Sequence, residues 1–241
     1  MRVGLIVSAR MGSSRLPGKT LMPVGNRSLL GLMLERLQGS AWAEGLVLAT
    51  SREEQDDPLV PESERYGVRC FRGSESDVLS RVCEAARTFG FDVVVRLTGD
   101  CPLVDPAVVD RCVRVYAEGN HDLVTTKFNF PQGIDCEVVS RDLLERILTW
   151  SEDRRDREHV TLYLWNHRDR FRGLSVPAPK GLDRPDCVLT VDEEDDLDRV
   201  RAVASAFGRE GIVSATGEEI VAWLEDQPGM IRRRQVPPGW G

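Results

Sequence analysis

Residues 3–20 read VGLIVSARMGSSRLPGKT, and they join a short apolar run to a loop that contains glycine and serine. The loop carries three cations, Arg10, Arg15 and Lys19, and residues 1–34 contain no acidic side chain. The whole chain has 39 acidic against 32 basic residues and a formal charge of −7, so the local charge opposes the global one. A strongly anionic ligand is the simplest partner for such a segment.

Working outward from this loop, short apolar runs alternate with helix-patterned segments. The pattern predicts strands over residues 3–7, 46–49, 68–71 and 92–97, and helices over 29–37 and 78–89. A strand-crossover-strand order is typical of an α/β fold with a parallel sheet. The cationic loop would then lie at the carboxyl end of the first strand, where ligands bind in such sheets.

The second half of the chain has a looser pattern. It predicts a helix over 107–117, strands over 123–126 and 134–139, and helices over 158–165 and 193–207. In the strand 134–139, the alternation places Asp135 and Glu137 on one face. The segment 231–241 has two adjacent prolines and no periodicity, so we expect a flexible tail in which Trp240 is the one residue suited to docking.

Composition excludes several classes of protein. A pI near 5.2 with interspersed charges disfavours a nucleic-acid-binding protein. No apolar run approaches the roughly 20 residues that span a bilayer, and the run after Met1 is too short for a signal peptide. The six cysteines form no CxxC pair, which indicates reduced thiols and a cytoplasmic location.

The loop invites comparison with the Walker A pattern, G-x-x-x-x-G-K-[ST]. Gly12 and Gly18 are separated by one residue too many, and Pro23 forbids a helix directly after Lys19, which disfavours a P-loop kinase or GTPase. The loop can still bind phosphate. Its three cations suit phosphate oxygens, as do the amides of Gly12, Ser13 and Gly18. The alternative is an exposed turn with solvated cations.

Two aspartates follow strand-like runs. Asp100 lies in RLTGDCPLVDP, residues 96–106, and next to a polyphosphate it would bind Mg²⁺; the alternative is an ordinary turn aspartate. Asp192 lies in LTVDEEDDLDRV, residues 189–200, where acids fill the first turn of a helix. For Asp192, spacing alone favours helix capping over metal binding.

The acids of GIDCE, residues 133–137, suit the hydroxyls or cationic groups of an acceptor, although a solvated strand face explains them nearly as well. His121 and His167 have no metal-like partners nearby in the sequence, whereas His159 follows Glu158 at the start of a predicted helix.

Seven ordered blocks between about residue 2 and residue 205 carry a family resemblance. They are SARMGSSRLPGK, LATSREEQDDPL, FRGSESDVLSR, VRLTGDCPLVDP, GIDCEVVS, REHVTLY and LTVDEEDDL. Together they resemble the cytidylyltransferase family typified by spore-coat polysaccharide biosynthesis protein F, a relative of the CMP-Kdo and CMP-sialic acid synthetases. The resemblance implies a three-layer α/β/α nucleotide-diphospho-sugar transferase fold, similar to GT-A enzymes, with a mostly parallel central sheet.

The resemblance also implies a domain organisation. Residues 1–230 would form a single nucleotidyltransferase domain with a nucleotide-binding half, about 1–120, and an acceptor and metal half, about 121–210. Related synthetases are commonly homodimers, and residues 122–134 are the segment expected to supply contacts between the subunits.

By the same resemblance, site residues can be assigned. The CTP-binding loop would comprise Ala9, Arg10, Gly12, Ser13, Arg15 and Lys19, with Arg15 and Lys19 on the phosphates. The wall around base and ribose would comprise Ala49, Thr50, Ser51, Gly73, Asp77 and Arg81. Mg²⁺ would be held by Asp100 and Asp192, so the resemblance reverses the capping preference for Asp192. Asp135, Glu137, Glu158 and His159 would face the acceptor.

The expected activity is Mg²⁺-dependent transfer of CMP from CTP to an acidic sugar or a phosphonate-like acceptor, with release of pyrophosphate. Arg15, Lys19 and Asp100 are the expected catalytic residues. Two alternatives stay open at this point. One is a GT-A glycosyltransferase that consumes a nucleotide sugar, and the other is a non-catalytic nucleotide-binding homologue.

Overall fold

A seven-stranded sheet forms the centre of the computed structural model, which describes residues 1–236 of the chain. The strands in chain order are β1 (Val3–Ser8), β2 (Pro23–Val24), β3 (Arg27–Ser28), β4 (Leu46–Ser51), β5 (Arg69–Gly73), β6 (Val93–Thr98), β7 (Leu123–Thr125), β8 (Glu137–Ser140), β9 (Gly173–Ser175), β10 (Cys187–Val188) and β11 (Arg232–Arg233). The α-helices are α1 (Leu29–Leu37), α2 (Leu59–Arg65), α3 (Val78–Phe89), α4 (Pro106–Glu118), α5 (Arg141–Trp150), α6 (Arg154–His159), α7 (Leu162–Asn166), α8 (Glu194–Ser214) and α9 (Gly217–Glu225).

The central sheet has the strand order β5-β4-β1-β6-β8-β7-β9. Strands β5, β4, β1 and β6 are parallel neighbours, β8 is antiparallel to both β6 and β7, and β9 is parallel to β7. The sheet is therefore mostly parallel, as predicted. Ser8 at the end of β1 pairs with Thr98 at the end of β6, so the loops that follow these strands leave the sheet side by side.

Helices cover both faces of the sheet, which gives the predicted three layers. One core forms where α1, α4, α8 and α9 pack on the face that presents Leu5, Val7 and Val95. The other forms where α3, α5 and α7 pack on the face that presents Ile6 and Val94. Alternate residues of β1 enter opposite cores, as expected for a strand buried on both faces.

Helices α1 and α3 occupy the ranges that the sequence predicts. Asp77 caps the start of α3 by accepting from the amide of Ser80, and Gly90 ends the helix in a left-handed conformation (φ 71°). Side-chain capping and a left-handed glycine are the usual signals for these two ends.

The strand predicted over 134–139 begins only at Glu137, so Asp135 does not share a strand face with it. Instead, an Asp135 carboxylate oxygen accepts from the amide of Gly133 at 2.7 Å, and Gly133 has a φ of 103°. Local hydrogen bonds between a side chain and the main chain compete with extended structure, which explains why the strand starts late.

The helix predicted over 158–165 is two short helices, α6 and α7, separated at Val160. Val160 has φ 56° and ψ −61°, and the amide of Thr161 donates to the carbonyl of His159 at 2.6 Å. This is the strained form of the γ-turn, which a β-branched residue adopts only where the surrounding structure enforces it. Hydrophobic periodicity carries no signal for such a break.

The C-terminal segment departs from the expected flexible tail. Strand β11 pairs antiparallel with β10, and Arg232 forms an ion pair with Asp196 at 2.6 Å. The amide of Arg234 also donates to the carbonyl of Asp186. Residues 231–236 are thus bonded to the domain, whereas residues 237–241, including Trp240, lie outside the described residues.

All six cysteines are free thiols, and five of them are buried, in agreement with the reading of the sequence. Among the helices within residues 1–236, none combines the length and apolar character that crossing a membrane requires.

Candidate active site

A cleft of about 250 Å³ opens where β1 and β6 end. We call it the cationic cleft. Its lining residues are Ser8, Ala9, Arg10, Gly12, Ser13, Ser14, Arg15, Lys19, Thr20, Thr98, Gly99, Asp100 and Asp192. All six predicted loop residues and both predicted metal ligands are in this set. The structure therefore brings together two parts of the sequence that are more than 170 residues apart.

The loop after β1 is held by side chains rather than by regular structure. The amide of Met11 donates to a carboxylate oxygen of the buried Asp56 at 2.7 Å, and the Thr20 hydroxyl donates to the carbonyl of Arg10 at 2.8 Å. The hydroxyl of Ser51 at the end of β4 donates to the other Asp56 oxygen. Asp56 thus joins the loop to β4, a positioning role that local sequence patterns did not reveal.

Two of the amides expected to face phosphate are used within the loop. The amides of Ser13 and Gly18 both donate to the carbonyl of Met11, at 2.9 and 3.1 Å. Gly18 has φ 75° and precedes a single 3₁₀ turn, Lys19–Leu21, which presents Lys19 to the cleft. The cationic side chains, rather than these two amides, are consequently the groups that the loop offers to an anion.

Asp100 and Asp192 are brought together by a main-chain hydrogen bond. The amide of Val191 donates to the carbonyl of Asp100 at 2.9 Å, so the segment before α8 runs alongside the end of β6. Asp192 is not the helix cap that spacing favoured, because a capping box formed by Glu193 and Asp196 starts α8. The carboxylate of Asp192 is therefore available to the cleft.

Two cations of the loop meet the carboxylate of Asp192. Lys19 Nζ lies 3.1 Å from Asp192 Oδ1, and it also donates to the carbonyl of Val191 at 2.5 Å. An Arg15 guanidinium nitrogen lies 2.9 Å from the same carboxylate oxygen. Lys19 is largely buried whereas more than half of the Arg15 side chain is exposed, so Lys19 is the more firmly placed of the two.

Sequence reasoning missed the residues that precede Asp100. Thr98 and Gly99 line the cleft, and a side chain at Gly99 would approach the Cβ of Ala9 to 2.6 Å. Glycine is therefore needed for the loop and the end of β6 to lie in contact. The Cys101 thiol lies 3.4 Å from an Asp100 carboxylate oxygen, and burial raises the pKa of this thiol well above its usual value, so it stays protonated.

Within residues 1–236, the six residues assigned to base and ribose lie outside the cationic cleft. Ala49, Thr50 and Ser51 are fully buried. Asp77 caps α3 and pairs with Arg157 at 2.8 Å, while Arg81 is buried against Gly73 and burial lowers its pKa. None of these six residues lines the cationic cleft, and their assignment to the base stays a prediction.

A second cavity of about 230 Å³ shares Arg10 with the cationic cleft. Its other lining residues are Glu75, Ser76, Arg154 and Glu158. Glu158, one of the predicted acceptor residues, therefore lies next to the cationic loop. His159 is exposed at the end of α6 and lines neither cavity.

Glu137 is completely buried and has four polar partners, which we call the Glu137 cluster: Arg96 (3.0 Å), Lys127 (2.9 Å), the Thr161 hydroxyl (2.8 Å) and the Trp165 indole nitrogen (2.8 Å). Burial opposes ionisation of Glu137, but Lys127 and Arg96 outweigh it and hold the pKa at about 2. Glu137 is thus an ionised group directed at protein cations rather than at the surface that was expected to face an acceptor.

The donors in the cleft suit Mg²⁺. Within residues 1–236 no group of three or more His, Cys, Asp or Glu side chains is arranged to enclose a metal, so the chain offers Asp100 and Asp192 alone. Two carboxylates are the set that Mg²⁺ commonly takes from a protein when phosphate oxygens and water complete its shell. The site therefore fits a metal that arrives with a phosphorylated ligand.

Comparison with protein families agrees with this geometry. The family model described as cytidylyltransferase matches residues 5–184. This range contains the cationic loop and Asp100, and it ends before Asp192.

Similar proteins extend over nearly the whole chain. Spore coat polysaccharide biosynthesis protein SpsF of Bacillus subtilis is 37% identical over 96% of this chain and 97% of its own. The structure of a cytidylyltransferase from Leptospira borgpetersenii superposes with a TM-score of 0.90 at 33% identity, covering 99% of this chain and all of that one. A 3-deoxy-manno-octulosonate cytidylyltransferase of Methylibium petroleiphilum is 32% identical over 49% of this chain and 45% of its own.

Proposed function

The chain belongs to the cytidylyltransferase family, and we propose that it transfers CMP from CTP to an acidic sugar or a phosphonate-like acceptor in a Mg²⁺-dependent reaction that releases pyrophosphate. The observation that carries this proposal is the meeting of Arg10, Arg15 and Lys19 with two carboxylates in one cleft. A triphosphate and a divalent cation together satisfy both sets of charges.

In the proposed reaction, a hydroxyl oxygen of the acceptor attacks the α-phosphorus of CTP. An oxygen-phosphorus bond forms, the bond to the bridging oxygen of the β-phosphate breaks, and the hydroxyl proton is released. Negative charge grows on the departing pyrophosphate. Arg15 and Lys19 stabilise that charge, and fixed cations of this kind supply most of the catalysis in phosphoryl transfer. The proposed reaction needs no nucleophile from the protein.

Asp100 and Asp192 would hold the metal ion. When bound, Mg²⁺ supplies positive charge that the three cations alone do not provide against a triphosphate and two carboxylates. Lys19 and Arg15 contact Asp192 in this structure, so they exchange a carboxylate oxygen for phosphate oxygens when the nucleotide binds. The exchange keeps each cation paired throughout.

An acidic acceptor is supported by the name of one relative, a 3-deoxy-manno-octulosonate cytidylyltransferase. Asp135, Glu158 and His159 stay the predicted acceptor contacts, with Glu158 in the cavity next to Arg10. The homodimer and the cytoplasmic location also stay predictions.

The test is release of pyrophosphate from CTP in the presence of Mg²⁺ and each member of a panel of acidic sugars. We expect turnover with CTP and one or more acidic sugars, and none when a UDP-sugar replaces CTP. Release of UDP from a UDP-sugar, without any pyrophosphate from CTP, would contradict the proposal and favour a glycosyltransferase.

A further inference from the structure

The Glu137 cluster contains more positive than negative charge. Arg96 and Lys127 both contact the single carboxylate of Glu137, and the proposed reaction at the phosphates uses neither of them. Glu137 is fully enclosed, whereas the side chains of Arg96 and Lys127 are 13% and 27% exposed. The three side chains together carry one net positive charge, and Lys127 is the most exposed of them.

Arg96 is only partly used by Glu137. One terminal guanidinium nitrogen donates to the carboxylate at 3.0 Å, while the buried Nε has no hydrogen-bond partner among residues 1–236. A buried donor without an acceptor costs free energy, and native proteins seldom leave one unless it has a use. The guanidinium is thus fixed at one corner by Glu137, and its hydrogen-bonding capacity is not used up.

The cluster adjoins the cationic cleft. Arg96 lies two residues before Thr98 on β6, so both side chains leave the same face of the strand, with Cα atoms roughly 7 Å apart. Thr98 lines the cleft, and its neighbour across the sheet is Ser8, whose buried hydroxyl is likewise unpartnered among residues 1–236. A sugar-sized ligand spans the distance from Arg96 to the end of the strand.

Strained backbone flanks the cluster on both sides. Within residues 1–236, Phe128 (φ 71°) and Val160 (φ 56°) are the non-glycine residues with positive φ. Phe128 follows Lys127, and Val160 precedes Thr161, so each strained residue adjoins a partner of Glu137. Phe128 also packs edge-on against Trp165 with ring centroids 5.1 Å apart. Such strain persists mainly at functional sites, where it fixes side chains that bind a ligand.

We propose that Arg96 and Lys127 form the site for the carboxylate of the acceptor, and that Glu137 is a positioning residue that fixes both cations without touching the acceptor. This inference rests on the proposed function, since it names the part of the acceptor that the enzyme recognises. It explains why an ionised glutamate is buried beside the cleft, and it restricts acceptors to anionic molecules.

The experiment measures binding by calorimetry, with 3-deoxy-manno-octulosonate as the acidic probe and its methyl ester as the neutral control. We expect the wild-type protein to bind the acid at least tenfold more tightly than the ester. Arg96→Gln should weaken binding of the acid by roughly ten- to a hundredfold and leave the ester unchanged, because it removes a charge-assisted hydrogen bond. Lys127→Gln should act in the same direction, and Arg96→Lys should restore part of the loss.

Arg114→Gln, on the exposed side of α4, is the matched control and should change neither affinity. CTP binding in the presence of Mg²⁺ is measured on every variant and should stay within twofold, which also shows that each variant is folded. Equal affinity of the wild-type protein for acid and ester, no saturable binding of either, or an unchanged acid affinity in Arg96→Gln would overturn the proposal. Failure to bind CTP would instead contradict the proposed function.

Discussion

Lys19 and Asp192 are 173 positions apart in the chain, yet Lys19 Nζ lies 3.1 Å from Asp192 Oδ1. The contact joins the loop after β1 to the segment that precedes α8, and it is made inside the cationic cleft. It also gives Asp192 two tasks, since the carboxylate neutralises loop cations in this structure and is the proposed ligand of a metal ion. The first two predictions separate these tasks.

Lys19→Met should lower the rate of pyrophosphate release about a hundredfold or more, because it removes a fixed cation from the departing group. The rate is measured under saturating CTP and Mg²⁺ with an active acceptor. Lys180→Met, which changes an exposed lysine, is the matched control and should keep the wild-type rate. Turnover of Lys19→Met within twofold of wild type would remove Lys19 from the mechanism.

Asp192→Asn should have opposite effects with and without metal. With Mg²⁺, the concentration needed for half-maximal activity should rise by about tenfold or more, since a charged ligand is lost. Without metal, CTP should bind more tightly than to the wild-type protein, because Lys19 and Arg15 no longer share a carboxylate. Asp195→Asn, an exposed acid in the first turn of α8, is the control. Weaker metal-free binding in Asp192→Asn would argue against the cation exchange.

Glu137→Gln should reveal the contribution of the buried carboxylate to acid stability. The pKa of Glu137 is held at about 2, below its ordinary value of 4.5, so its stabilising effect is present above pH 4.5 and is lost as the pH falls towards 2. Urea unfolding of both proteins at several pH values measures the effect. The wild-type advantage should be largest near pH 6 and should shrink below pH 4.5; an advantage that does not change with pH would be inconsistent with this ionisation.

Asp196→Ala should lower the free energy of unfolding by about 3 kcal/mol, because removing one partner of a buried ion pair leaves the other charge uncompensated. Asp196 is 1% exposed, pairs with Arg199 and Arg232, and completes the capping box of α8. Denaturant unfolding measures the loss, with the exposed Asp195→Ala as control. A loss below 0.5 kcal/mol would show that the pairs are balanced by the cost of burying them.

The cationic loop was predictable because its signal is local. Glycines, serines and three cations lie within residues 8–20, directly after an apolar strand, and the structure places all of the predicted loop residues in one cleft. Helices α1 and α3 were equally predictable from the sequence, since their apolar faces and end signals lie in consecutive residues.

The remainder of the site depends on contacts between distant residues. Asp192 was assigned to the metal only through family resemblance, because acids near a helix start also fit a cap. Arg96 and Lys127 gave no signal at all, since their significance comes from Glu137, which is 41 residues from one and 10 from the other. The break at Val160 escaped prediction for a related reason, because a strained turn is enforced by its surroundings rather than by its own sequence.

The hydrogen bond from the amide of Val191 to the carbonyl of Asp100 has a thermodynamic consequence. It fixes the main chain before Asp192 against the main chain of Asp100, so the backbone of both acids is already ordered before an ion binds. The protein then loses little conformational entropy when the metal ion binds, and its affinity for the ion is higher than that of a flexible site. Because an ion that binds only the folded state adds to its stability, a chelator added to the loaded protein should lower the melting temperature.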